Sequence, residues 1–144
     1  MKKYIPAAGL FLMLAACKTG AVHKKPVHIS CIPASADSSV YGKQTGTFNI
    51  LSVLADGDRL TLDVEYTGCG TETTFLTWNG IFMKSLPPKV NVTPGFIQSD
   101  QECGRVIKRQ LCFDIGKLRE SNRKQGLVVI TAGFDKTSVI PAEK

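Results

Sequence analysis

The chain has 144 residues, 18 Lys and Arg against 12 Asp and Glu, and a formal charge of +6. That length gives one domain with a core of its own, so its five cysteines reinforce a core rather than replace one. No apolar stretch is long enough to span a bilayer as a helix, and the basic excess is too mild to define a nucleic-acid surface.

The first element follows Lys2 and Lys3. Residues 5–16 form an apolar run of 12, well short of the roughly 20 a spanning helix needs. It ends in Leu14-Ala15-Ala16-Cys17. This arrangement resembles the lipobox of bacterial lipoproteins: charged start, apolar run, then Leu-Ala-Ala ahead of the Cys that becomes the mature N-terminus. The resemblance implies cleavage between Ala16 and Cys17, and acylation (palmitate among the chains) of Cys17. Residues 1–16 are then a signal peptide, 17–30 a lipidated tether, and 31–144 a single β domain. Two or more acyl chains anchor stably. Lys18 stands where an Asp commonly retains such proteins at the inner membrane, which leans to the outer membrane. Lys18, Lys24 and Lys25 could touch anionic headgroups. Export removes nucleic acid as a normal partner.

Assigning Cys17 to the lipid leaves Cys31, Cys69, Cys103 and Cys112 for two disulfides, with three possible connectivities. Cys69 in Thr-Gly-Cys-Gly and Cys103 in Glu-Cys-Gly both look loop-like. That favours Cys69 with Cys103 and Cys31 with Cys112. The long irregular spacings do not suit a zinc or thioredoxin-type site.

The tether is polar and aperiodic, and fully extended would reach about 45 Å at roughly 3.5 Å per residue. Strands follow. Residues 47–54 are apolar and β-branched. Asp56-Gly57 reads as a type I′ turn with both residues central. Residues 60–67 alternate cleanly, with Leu60, Leu62, Val64 and Tyr66 on one face and Thr61, Asp63, Glu65 and Thr67 on the other. Residues 73–78 make a third strand and Asn79-Gly80 another turn. Pro87-Pro88 interrupts pairing before alternation resumes at Val90 and Val92. Residues 106–115 form a long strand whose apolar face Arg109 breaks, which suggests a bulge or an edge. Residues 116–125 hold one short charged helical turn. Residues 127–134, apolar on both faces, read as a central strand, and 137–140 as an edge strand. Together they predict an all-β, antiparallel β-sandwich with immunoglobulin-like layering, or else a small β-barrel.

Thr67-Gly68-Cys69-Gly70, Phe75-Leu76-Thr77-Trp78-Asn79-Gly80, Ser85-Leu86-Pro87-Pro88-Lys89-Val90-Asn91-Val92, Asp100-Gln101-Glu102-Cys103 and Leu111-Cys112-Phe113-Asp114 resemble segments of small uncharacterised bacterial envelope lipoproteins. That resemblance implies a compact β domain with Cys69 near Cys103, and no activity.

Chemistry-bearing residues are sparse. His23 and His28 lie in the tether, where no framework would hold an imidazole. Asp63 and Glu65 share a strand face about 7 Å apart, a permissive spacing for a glycosidase pair, yet also the ordinary state of a wet strand. Asp100 and Asp114 are the other acids considered, Asp114 as a loop cap or a partner of Arg119. Asp56-Gly57-Asp58 lacks the Glu that closes a calcium loop. Trp78 reads as core. Lys108, Arg109, Lys117, Arg119, Arg123 and Lys124 read as a solvated basic face.

No cofactor, metal or catalytic residue is expected. The leading expectation is a non-enzymatic binding or assembly-support domain on the envelope, with a protein or glycan partner. The alternative is an inhibitor or protective factor against exported enzymes, and a more distant one an acid-dependent hydrolase. An inhibitor predicts one protruding rigid loop, an adaptor a broader apolar patch, an enzyme a concave polar pocket.

Overall fold

Alternation in the sequence becomes a two-layer β structure. The computed structural model describes residues 30–36, 46–98 and 103–143. The lipobox, Cys17, the two histidines, most of the tether and Asp100 lie outside them. The elements in order are β1 (Ile32–Pro33), β2 (Asn49–Asp56), β3 (Arg59–Gly68), β4 (Thr73–Met83), β5 (Lys89–Ile97), β6 (Arg105–Asp114), α1 (Gly116–Glu120), β7 (Leu127–Thr131) and β8 (Thr137–Ile140). One sheet runs β1-β6-β3-β2 and the other β4-β5-β7-β8. They form a β-sandwich, not a closed barrel. Each sheet is mixed rather than purely antiparallel, because β1 lies parallel to β6 and β5 parallel to β7.

β3 carries the clearest sequence signal, and it buries Leu60, Leu62, Val64 and Tyr66 while their neighbours stay half-wet. These face Leu76, Val90, Val92, Phe96 and Val129 from the other sheet across one core. Burying each such side chain contributes about 1.5–3 kcal/mol. Phe48, Tyr66 and Phe96 close one region of the core as a three-ring cluster with centroids 4.8–5.3 Å apart. Gly46 bridges to Phe96, and a Cβ there would strike the Phe96 ring, so no larger residue fits this approach. β7 is central between β5 and β8, as its two-sided apolar character requires.

Two turns differ from the sequence reading. Asp56 pairs with Arg59, so the turn residues are Gly57-Asp58, one position later than expected. Gly57 has φ +56 and, among the described residues, no non-glycine has positive φ, which fits a turn with Gly at its first central position. Asn79-Gly80 is not a hairpin turn. β4 runs through it, with a register shift between Trp78 and Phe82. Gly80 takes φ +74 there, and Asn79 Oδ1 accepts the Ile81 N–H at 3.2 Å. The reversal comes at residues 84–88 instead. Arg109 causes no bulge, because β6 pairs with β3 in unbroken register. β1 covers β6 only at Phe113 and Asp114, so Arg109 lies on an open edge.

Disulfides join Cys31 to Cys112 and Cys69 to Cys103, the pairing that the loop contexts favoured. The first ties the incoming chain to β6. The second closes the turn after β3 against the start of β6.

Candidate interaction surface

Among the described residues, the sequence-derived acids Asp63, Glu65 and Asp114 are each occupied. Asp63 accepts hydrogen bonds from Ser52 Oγ at 2.5 Å and Gln110 Nε2 at 3.0 Å across the outer face of its sheet. Those bonds, Ser52's foremost, hold its carboxyl below the usual range. Glu65 pairs with Lys108 Nζ at 3.0 Å. The two acids therefore sit side by side on an open strand face, each engaged by a cross-strand neighbour. Asp114 caps the start of α1, where its Oδ1 accepts the Gly116 N–H at 2.8 Å. No bond from it to Arg119 is seen.

The expected basic face divides. Arg119 is buried, and its guanidinium bridges Asp58 at 3.0 Å and Glu143 at 3.1 Å. Arg123 meets the same two acids. This network ties the β2–β3 turn, α1 and the C-terminal segment together, so Arg119 is a structural residue rather than a solvated one. Local spacing in a five-residue helix could not reveal partners so distant in sequence. A shallow hollow beside α1 is lined by Glu120, Ser121, Arg123, Lys124 and Gln125. Its walls come from a single turn.

Glu72, which the sequence reading passed over, is buried. It accepts the Tyr66 hydroxyl at 2.8 Å and the N–H groups of Cys69 and Gly70. Burial alone would raise its pKa. Its own backbone N–H and these donors outweigh that effect and hold it below the ordinary value. Gly68 is required beside it, because a Cβ would collide with the carboxylate. The local signal was the Gly-Cys-Gly run three residues ahead of an acid. Such a carboxylate ring of main-chain donors organises a turn.

Leu51, Leu54, Val106 and Val139 are exposed on strands, and a further surface open to a partner is the far end of the β4–β5 hairpin. Ile81 is 64% exposed, Met83 38% and Leu86 85%. Lys84 and Lys89 stand among them, both exposed. Single exposed apolar residues are ordinary, but this group is clustered at one tip. The tip is also stiff. Pro87 and Pro88 fix their own φ angles. Ser85 Oγ donates to Pro87 O at 2.8 Å, and Pro88 O accepts the Val128 N–H at 2.9 Å. Trp78 and Phe82, half-buried with ring centroids 5.3 Å apart, pack against the core below. Leu86 is the residue a sequence could have flagged, because a leucine next to Pro-Pro in a turn has no sheet face to bury against.

A mixed two-sheet sandwich with a stiff apolar and basic tip is the class of domain these observations define. Among solved structures, a protein of unknown function from Bacteroides vulgatus is similar, with TM-score 0.53 and 13% identity over 80% of this chain and 57% of that one. A protein assigned as a lipoprotein from Bacteroides fragilis gives TM-score 0.53 and 7% identity, over 80% of this chain and 71% of that one. A NigD-like immunity protein from Bacteroides caccae gives TM-score 0.49 and 14% identity, over 71% and 51%. The chain thus spans 57% and 51% of two of these structures. The likeness at TM-score 0.53 shows a shared fold. No family model matches the chain, and neither does any curated protein.

Proposed function

We propose that the protein is a lipid-anchored lipoprotein of the bacterial envelope, processed before Cys17. Its β-sandwich is a non-enzymatic binding module that meets a protein partner through the β4–β5 tip. The carrying observation is the exposure of Ile81 and Leu86 on a loop held by prolines and by β7. A pre-ordered loop loses little entropy on binding, so its apolar side chains can contribute to affinity in full. The lipobox supports the anchor, and the fold shared with a lipoprotein-assigned structure is compatible with it. The occupied state of Asp63, Glu65 and Asp114 supports the non-enzymatic reading.

One stiff projecting loop, rather than a broad apolar face, also favours the second reading, an inhibitor or protective factor acting on an exported enzyme. The test is a photo-crosslinking residue placed at Leu86 in living cells. The proposal expects one discrete protein adduct there, and none from the same residue at Lys136, which is exposed elsewhere. Equal labelling at both positions contradicts it. Identifying the adduct as an exported enzyme selects the second reading.

A further inference from the structure

We propose that Arg105 and Arg109 form a phosphate-binding pair that seats one end of the sandwich on anionic lipid headgroups. The proposal rests on the lipid-anchored reading for its orientation, and on the following geometry for its chemistry.

Arg105 and Arg109 stand four residues apart on β6, so both point to the same face of the sheet, opposite Gly68 and Val64 of β3. Arg105 Nη2 donates to Cys69 O at 3.3 Å, and Arg109 Nη1 donates to Gly70 O at 3.4 Å. These carbonyls are consecutive, so the two guanidinium groups converge on one turn. The Cys69–Cys103 disulfide closes that turn against β6. Both arginines remain exposed.

Among the described residues, the carboxylate at this turn makes no ion pair with either arginine. Glu72 is filled by Tyr66, Cys69 and Gly70. Elsewhere the pattern is different: Lys108 is paired with Glu65, and Arg119 and Arg123 share Asp58 and Glu143. Among the described residues, Arg105 and Arg109 have carbonyl partners but no acidic one. Each guanidinium has five N–H donors in a planar fork, so most remain available. Two like charges held close together gain most from a ligand with several anionic oxygens, and phosphate matches the fork bidentately.

Chain direction places this pair. β1 runs parallel to β6, with Ile32 beside Phe113. The described chain begins at Ser30, just before Ile32, so it enters the sandwich from the side on which Arg105 lies. The β4–β5 tip lies the other way. Ser35 bridges Thr77 in parallel, and β4 continues from there to Met83, about 20 Å further at the usual strand rise. The arginine end thus lies on the side from which the described chain enters, and the tip lies at the opposite end of the sandwich.

The experiment uses the mature chain with Cys17→Ser, so that no acyl chain contributes, and vesicles of phosphatidylcholine with or without phosphatidylglycerol. The tether lysines are present in every arm and cancel. A basic residue at an anionic surface contributes about fivefold in affinity. The proposal expects R105Q/R109Q to weaken binding to the phosphatidylglycerol vesicles by about 25-fold, and R105K/R109K to recover only part of it, because an ammonium keeps the charge but lacks the bidentate fork. It expects K117Q/K136Q, which removes exposed charge elsewhere, to change little. Undiminished binding in R105Q/R109Q, or equal loss in K117Q/K136Q, overturns it. So does a third result, in which inorganic phosphate shifts the Cys69 and Gly70 amide resonances while the vesicles stay unbound. That result makes the ligand a soluble anion. Single Arg105→Gln, tested beside the double variant, keeps the question answerable if the double variant fails to fold. An unacylated Cys17 in the natural protein would remove the anchor reading without touching the vesicle result.

Discussion

Tyr66 donates its hydroxyl to Glu72 at 2.8 Å from inside the core, and so joins the aromatic cluster to the turn between β3 and β4. The N–H groups of Cys69 and Gly70 complete the shell around the carboxylate. Glu72's pKa lies below its ordinary value in the folded chain, so its stabilising effect is fully present above the unfolded pKa. It is lost as pH falls through the lower, folded value. Denaturation followed from neutral pH into acid should show this as a falling slope below the ordinary carboxylate range. Glu72→Gln should flatten that part of the slope. It should also cost about 1–3 kcal/mol at neutral pH, because its amide NH₂ faces donors that then lack an acceptor.

Arg119→Ala should destabilise the protein by about 2–4 kcal/mol, toward the lower end for a buried ion pair because Asp58 and Glu143 are partly solvated. Glu143→Gln should cost under about 1 kcal/mol, since Asp58 still compensates the guanidinium. Urea midpoints for the two variants check both values. Equal, small effects would mean the network is ornamental.

The disulfides should contribute unequally. Cys31–Cys112 spans 81 residues and Cys69–Cys103 spans 34. In the chain-entropy model these loops correspond to about 4.5 and about 3.8 kcal/mol. C31A/C112A should therefore lower the melting temperature more than C69A/C103A. Thermal melts of the two double variants decide it, and the reverse order contradicts the assignment of the larger constraint.

Much of this architecture was legible because β3 alternates without interruption and β7 is apolar on both sides. The misread parts have physical causes. Asn79-Gly80 is a strong local turn signal, but the hydrogen bonds of β5 hold β4 extended past it, and Pro87-Pro88 supplies the reversal. The parallel pairs β1–β6 and β5–β7 are set by long crossovers, which leave no mark in local patterning. Arg119 looked like a surface cation because its partners, Asp58 in the β2–β3 turn and Glu143 in the C-terminal segment, lie far from it in sequence on either side. Arg109 appeared only as a charge breaking an apolar strand face and Arg105 was not singled out, because the two carbonyls that gather them could not be read from β6 alone.

Ile81→Ser and Leu86→Ser should leave stability within about 0.5 kcal/mol, because both side chains are already in water. The pair should nonetheless abolish the adduct formed by a crosslinker at Met83. Calorimetry and in-cell crosslinking together check this. A large loss of stability would mean that the tip is packed in a way its exposure does not suggest, and an undiminished adduct would move the interface elsewhere.

The account centres on a folded body held to the membrane through Cys17, and intact mass of the protein extracted from membranes tests it most directly. The account predicts a chain starting at Cys17, carrying acyl chains, with Cys31, Cys69, Cys103 and Cys112 oxidised in two bonds. A mass that retains residues 1–16, or shows an unmodified thiol at Cys17, would contradict it.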